Sequence, residues 1–286
     1  MKLPVRQPVA RGSTRRSRRG VDLLARALGL ILILVTAVGI YWFVSADRFR
    51  LDPSRLRIEG LVYTDEQQLM AAIGLDDDAR PNVFRLKPAH MAEMLRGLPS
   101  VASADVEVSL PDEVEVTVHE REPLLIWRTS NGPFLVDATG ALLAVAPADS
   151  ALPIVDDQRS TASNLAAGDR LDEVDVAAAR LLLTITPADV GSPVTATGVY
   201  VNDADGWYMT ANQPYWRAIF GFYTANQLRP EARVPRQRQC LASLLAERQG
   251  RPTLVYLAVE GDRCGTYRDE PTPSAEDVQN VGEWAT

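Results

Sequence analysis

The chain has 286 residues, 46% apolar and 23% charged, which is enough for one or two domains with true cores. Its charge is unevenly placed. Met1 to Arg26 holds eight basic residues against Asp22 alone, and the 22 basic and 36 acidic residues that remain give the body a net charge of −14. A body this acidic excludes nucleic acid as a partner, because phosphate contacts need positive potential.

Residues 1–26 read as a basic cytoplasmic tail, and residues 27–46, ALGLILILVTAVGIYWFVSA, carry no charge. At about 1.5 Å per residue this run spans roughly 30 Å, the hydrocarbon thickness of a bilayer. Tyr41, Trp42 and Phe43 stand at its far end, where aromatic rings favour the headgroup level. The other reading is a cleaved export signal. Ser17-Arg18-Arg19 has a twin-arginine look and Val44-Ser45-Ala46 resembles a cleavage site, but the apolar run exceeds the roughly 7–15 residues of a signal core. Either way, the residues after Ala46 cross the membrane and the tail stays inside.

Residues 47–53 read as a linker. SRLRIEG (54–60) alternates as a strand, and TDEQQLMAAIGL (64–75) predicts a helix with a Thr64/Gln67 capping box and a stop at Gly74. Asp76-Asp77-Asp78 lacks the spaced oxygens of a calcium loop and reads as a solvated loop. Asn82–Leu86 predicts a short extended piece. A second helix opens at Pro88, presents Met91, Met94, Leu95 and Leu98, and stops before Pro99. Two strands follow around a turn at Pro111-Asp112. Val106, Val108 and Leu110 share one face of the first, and Val114, Val116 and Val118 one face of the second. The order strand–helix–helix–strand–strand makes a small two-layer α+β domain over 54–122.

Further on, Asn131-Gly132 and Asp137–Gly140 are turn signals between apolar strands. Val174–Thr186 and Cys240–Gln249 read as helices, and Pro193–Val201, Trp207–Thr210 and Leu254–Val259 as extended. Trp207, Tyr208, Tyr215, Trp216, Phe220, Phe222 and Tyr223 form either a core or a platform for glycan or peptide. Cys240 and Cys264 lie on the oxidising side of a membrane and read as a possible disulfide, with two free buried thiols as the other reading. Residues 269–286, acidic and without bases, read as a disordered tail.

Catalytic, metal and cofactor-binding residues are expected to be none. His90 and His119 are far apart in the predicted fold, and no nucleophile elbow, metalloprotease helix, phosphate loop or dinucleotide fingerprint occurs. No enzyme and no small-molecule substrate are therefore expected.

In order and spacing, the basic tail, the single span, Leu56–Gly60, Asn82–Leu86, Leu98-Pro99-Ser100-Val101 and Glu120-Arg121-Glu122-Pro123 resemble the FtsQ/DivIB family of bacterial cell-division proteins. Ile126-Trp127, Phe134–Gly140 and Leu152-Pro153-Ile154 extend the likeness. The resemblance implies an α+β fold: one N-terminal transmembrane helix, a βααββ POTRA domain, and a β-rich domain with helices over 123–268. It also implies a bitopic scaffold at the division septum that joins small coiled-coil bitopic partners and the septal synthase complex, without cofactors. In the family a late strand of the β domain receives the coiled-coil partners, which points here to Leu254, Val255, Tyr256, Leu257, Ala258 and Val259, although LVYLAVEG lacks the family's acidic-aliphatic-arginine signature. On that reading, proline at Tyr256 blocks partner capture and leaves the domain folded. The rival readings are an exported glycan- or ligand-binding protein and a POTRA-bearing translocation component. The second would need a series of alternating strands of about ten residues, which is missing.

Overall fold

The computed structural model describes residues 18–75, 80–191, 197–212, 215–247, 253–258 and 263–269. Most of the basic tail, Asp76-Asp77-Asp78, residues 193–196, Val259 and nearly all of the acidic tail lie outside the described residues.

The first element is α1 (Arg18–Val44), whose stretch Arg26–Val44 is long and apolar enough to cross a membrane. The segment expected as a linker is instead built into the first domain. Phe49 and Leu51 are buried in its core, because an aromatic and a leucine spaced two apart reach the same pocket when the chain makes 3-10 turns at Asp47–Phe49 and Pro53–Arg55.

The first domain contains β1 (Leu56–Glu59), α2 (Glu66–Ile73), α3 (Pro88–Arg96), β2 (Val101–Ser109) and β3 (Glu113–Glu120). Its sheet order is β1-β3-β2, with β1 parallel and β2 antiparallel to the central β3. The period-two face Val114, Val116 and Val118 is fully buried against Leu69, Ile73, Met91 and Leu95 from the two helices. Burying side chains of this kind contributes roughly 1.5–3 kcal/mol each.

Three local expectations change. The Thr64 hydroxyl does not cap α2; it lies 2.6 Å from Ser100 Oγ, and Asp65 takes the cap position without a side-chain bond. Asn82–Leu86 is a 3-10 turn over Val83–Arg85, because Asn82 Oδ1 accepts from the Phe84 N–H at 3.0 Å and curls the chain. Leu110 does not join the buried face: it sits at the hairpin tip, 62% exposed.

The second region is a nine-stranded mixed sheet formed by β4 (Pro123–Thr129), β5 (Gly132–Asp137), β6 (Leu142–Val145), β7 (Ile154–Asp157), β8 (Thr197–Asn202), β9 (Gly206–Asn212), β10 (Tyr215–Gly221), β11 (Thr253–Tyr256) and β12 (Thr266–Asp269), with α4 (Glu173–Leu183) and α5 (Pro230–Ala246). The order is β12-β11-β10-β9-β8-β7-β4-β5-β6. One face meets α4 and α5 and carries the main core, from Leu125 and Trp127 through Val199, Met209 and Trp216 to Val255 and Leu257.

The helix expected over 240–249 begins ten residues earlier. Pro230 and Pro235 disguise it: the first stands at the N-terminal turn, where its missing N–H is not needed, and the second lies one turn further in. β10 and β12, for which the sequence predicts no strands, complete the sheet.

Candidate functional site

The groups that could carry chemistry are dispersed. His90 Nδ1 lies 4.0 Å from Glu93 on the exposed side of α3, while His119 stands on β3 opposite Ser103. Among the described residues no three His, Cys, Asp or Glu side chains gather to hold a metal.

The most buried charges are structural. Arg159 bridges Asp157 at 2.7 Å and Asp175 at 2.8 Å, and Asp157 also accepts from the Trp127 indole N–H at 3.0 Å. This ties β7 to the first turn of α4. Burial pushes the Asp175 carboxyl above its ordinary value against the pull of Arg159, and burial likewise raises Asp156 against Arg128.

The aromatic cluster is mostly core. Trp207, Trp216, Phe220 and Tyr223 are buried, Phe222 is open, and the Tyr223 hydroxyl donates to Gln237 Oε1 at 2.8 Å. Gln237 in turn donates to the carbonyls of Phe220 and Leu257, locking α5 onto the sheet. Tyr208 points to the opposite face, stacked on Tyr200 with ring centroids 5.0 Å apart and covered by the Arg217 guanidinium at 4.2 Å. Burial raises the Tyr208 hydroxyl to about 12, with Arg217 opposing the shift. A glycan platform needs open rings; these cover one another.

The late strand sits differently from the expectation. Leu254, Val255 and Tyr256 belong to β11, which pairs with β10 on one side and β12 on the other. Leu257 continues the pairing through its N–H to Ile219 O at 2.8 Å, and Ala258 follows, with Val259 outside the described residues. The stretch is therefore an interior strand, and with β12 in place it has no margin to offer. Its apolar run marks a strand covered on both faces, whatever flanks it. The outermost described strand at this end is β12, exposed at all four residues.

Cys240 on α5 and Cys264 just before β12 are joined in a disulfide, with Cα atoms 4.9 Å apart. Gly265 follows with φ +96, where a Cβ would stand 2.0 Å from Tyr256 O, so the return from β11 into β12 requires glycine.

At the other sheet, β2 is outermost and β3 is its only strand neighbour among those described. Val101 and Ala104 face the core, and Asp105, Glu107 and Ser109 are exposed. At nine residues β2 is the longest strand among the described residues.

A charge-assisted bond from Arg121 joins the two regions, beside a pair that closes the end of β3 within the first. Glu120 accepts from the Tyr63 and Thr64 N–H groups, each at 2.8 Å. Next to it, Arg121 reaches Asp137 at 3.3 Å. Burial by itself would raise Asp137, but bonds from the Thr139 hydroxyl and N–H and the Ala141 N–H, together with the Arg121 charge, outweigh it and hold the carboxyl below its ordinary value. A depressed folded pKa gives stability that is fully present above the unfolded value near 4 and is lost as pH falls through the folded value. Asp137→Asn is expected to cost about 1 kcal/mol at neutral pH, the upper end for a part-exposed pair. It should also remove that acid-side loss, which urea unfolding at a series of pH values would check.

The family model described as "POTRA domain, FtsQ-type" matches residues 51–121, the whole three-stranded unit including the packed Leu51. Proteins named "Cell division protein FtsQ" are similar over longer stretches. The one from Chloroflexus aurantiacus is 28% identical over 190 residues, covering 65% of this chain and 66% of that one. The one from Corynebacterium glutamicum is 27% identical over 119 residues, 41% and 51% of the two chains, and the one from Rickettsia typhi is 32% identical over 101 residues, 35% and 36%. The matched part thus spans just under two thirds of the first of these relatives and about half of the second. The first domain matches the FtsQ-type POTRA family, and in its order of candidate membrane helix, POTRA domain and β-rich region the chain is similar to these cell-division proteins.

Proposed function

We propose that this chain is a membrane-anchored scaffold of the bacterial cell-division machinery, acting at the septum by lending sheet margins to partner segments. In this reading 1–26 is cytoplasmic, 27–46 spans the membrane, and the POTRA domain (54–122) and β-rich domain (123–268) lie outside. Its partners are other division membrane proteins, among them small coiled-coil bitopic proteins and the septal synthase complex. The relatives named for cell division support the setting. The observation that carries the mechanism is β2, nine residues long and outermost in its sheet.

An outer strand can accept another by backbone hydrogen bonds, with alternate side chains setting register. Across the wet face of this sheet stand Asp105, Glu107, Glu115 and Glu59, all exposed. A strand added beside β2 is therefore favoured by basic residues at every second position.

A fluorescent fusion followed through the cell cycle should gather at mid-cell before constriction; a signal dispersed throughout would remove the division role. A proline scan over Asp105, Val106, Glu107 and Val108 tests the mechanism separately. Antiparallel pairing sends successive N–H groups alternately toward β3 and outward. Variants should alternate accordingly: one set loses POTRA stability, and the other stays folded but captures its partner about tenfold more weakly in pull-downs from detergent-solubilised membranes. Capture that survives every folded variant would refute strand addition at β2.

A further inference from the structure

The end of α1 is not loosely attached to the first domain. Asn82 Nδ2 donates to the Val44 carbonyl at 2.8 Å, capping the last turn of the helix. Arg50 and Asn82 form an antiparallel bridge, and the Leu51 N–H donates to Pro81 O at 2.9 Å. A chain of rings runs across the joint, from Phe43 to Phe49 at 5.2 Å and from Phe49 to Phe84 at 4.9 Å. Phe43 belongs to the helix, Phe49 is buried, and Phe84, on the 80–87 loop, is 44% exposed.

A span ending at Val44 places Tyr41–Phe43 at the headgroup level. The ring chain, in steps of 5.2 and 4.9 Å, keeps Phe84 within about two helical turns of Phe43 and so near the bilayer surface. Around it Arg48, Arg50, Arg80, Arg85 and Lys87 are all exposed, and the Arg48 guanidinium lies 5.6 Å from the centroid of the Phe49 ring. The acids in the same described segments are Asp47, 3.1 Å from Arg50, and Asp52, which is tied to Ser54 and lies near Arg80 and Arg55. Asp76-Asp77-Asp78 lies outside the described residues. A basic, phenylalanine-bearing loop clamped beside a membrane exit stands out on a body of net charge −14.

We infer that the POTRA domain is seated on the outer face of the bilayer through the 80–87 loop and Arg48, with Phe84 at the acyl boundary and the arginines on anionic phospholipid headgroups. This rests on the reading of α1 as a membrane anchor. A guanidinium pairs with a phosphodiester in the fork geometry that lysine lacks, and a part-inserted ring adds depth without a charge to desolvate. Seating fixes the height and tilt of the domain, and with them the direction in which β2 is offered to a partner.

The test uses the full chain in nanodiscs of phosphatidylcholine alone or mixed with phosphatidylglycerol, with amide hydrogen exchange read at 80–87. Exchange there is expected to be about five-fold slower in the anionic discs for each cation held at the surface, and the difference should fade in high salt. Arg48→Glu with Arg85→Glu should abolish the difference, while amides of Val114, Val116 and Val118 stay protected and so report an intact fold. Phe84→Ala should speed exchange in both lipids. Equal exchange in the two discs, unaffected by the charge reversals, would overturn the seat and leave the anchor standing; a chain that does not enter nanodiscs would overturn both.

Discussion

Removing the Cys240–Cys264 bridge, by reduction or by Cys240→Ser with Cys264→Ser, is expected to destabilise the β-rich domain by roughly 3 kcal/mol. The two cysteines are 24 residues apart, and closing a loop of that size restricts the unfolded chain by about that amount in the chain-entropy model. For a domain of this size the loss corresponds to a fall of about 6–12 °C in Tm. The effect should also be local. The bridge ties the segment that enters β12 to α5, and the described register of β12 runs to β11 through only four residue pairs, Thr253/Asp269 to Tyr256/Thr266. Without the tether β12 should fray first and uncover the outer side of β11. Hydrogen exchange at 253–256 in the double serine variant would report this as lost protection, while the POTRA strands stay unchanged. An unaltered Tm together with unaltered protection at 253–256 would show that the bridge does not hold the margin.

Tyr256→Pro is expected to unfold this end of the sheet. Were Leu254–Val259 a margin, the same substitution would silence partner binding and leave the domain intact. The register decides otherwise. The Leu257 N–H donates to Ile219 on β10, so the alternation of a strand turns the Tyr256 N–H the other way, toward β12. Proline there deletes a ladder donor between two paired strands, where proline is essentially not tolerated. Leaving the opposing carbonyl unsatisfied costs about 1–3 kcal/mol, before any displacement of Leu254 and Val255, which sit in two different buried clusters. Circular dichroism melts of the variant should show a lowered or broadened transition; a melt identical to the parent would mean that β11 is not held as an interior strand.

Both predictions depend on what lies beside a strand, and this is where the sequence was least informative. LVYLAV is apolar throughout, which identifies it as buried but does not say whether one neighbour covers it or two. The strand that decides the matter, Thr266–Asp269, is four polar or aromatic residues without a core pattern, and it exists because Gly265 turns the chain back and the bridge holds it there. β10, for which the sequence predicts no strand, buries Trp216, Ala218 and Phe220 against the helices, while Ile219 and Arg217 serve the opposite face, so both faces carry large side chains.

Elsewhere the alternation was sufficient. Val114, Val116 and Val118 define the buried face of β3 because period-two apolarity is the only way a one-sided sheet can be written. Gly74, at φ +69, ends α2 as expected, since a left-handed C-terminal residue favours glycine. Glycine at 132 and 140 also marks real turns, with φ of +125 and +84.

By itself, then, the sequence determined the charge asymmetry, the apolar span, the βααββ order and the family resemblance, because each depends on residues close together in the chain. Tertiary structure alone decided that 47–53 is packed rather than slack, that α1 is capped by Asn82, and that the late strand lies inside its sheet. Those outcomes join residues tens of positions apart, and local pattern carries no record of which distant backbone will satisfy a given carbonyl or cover a given ring.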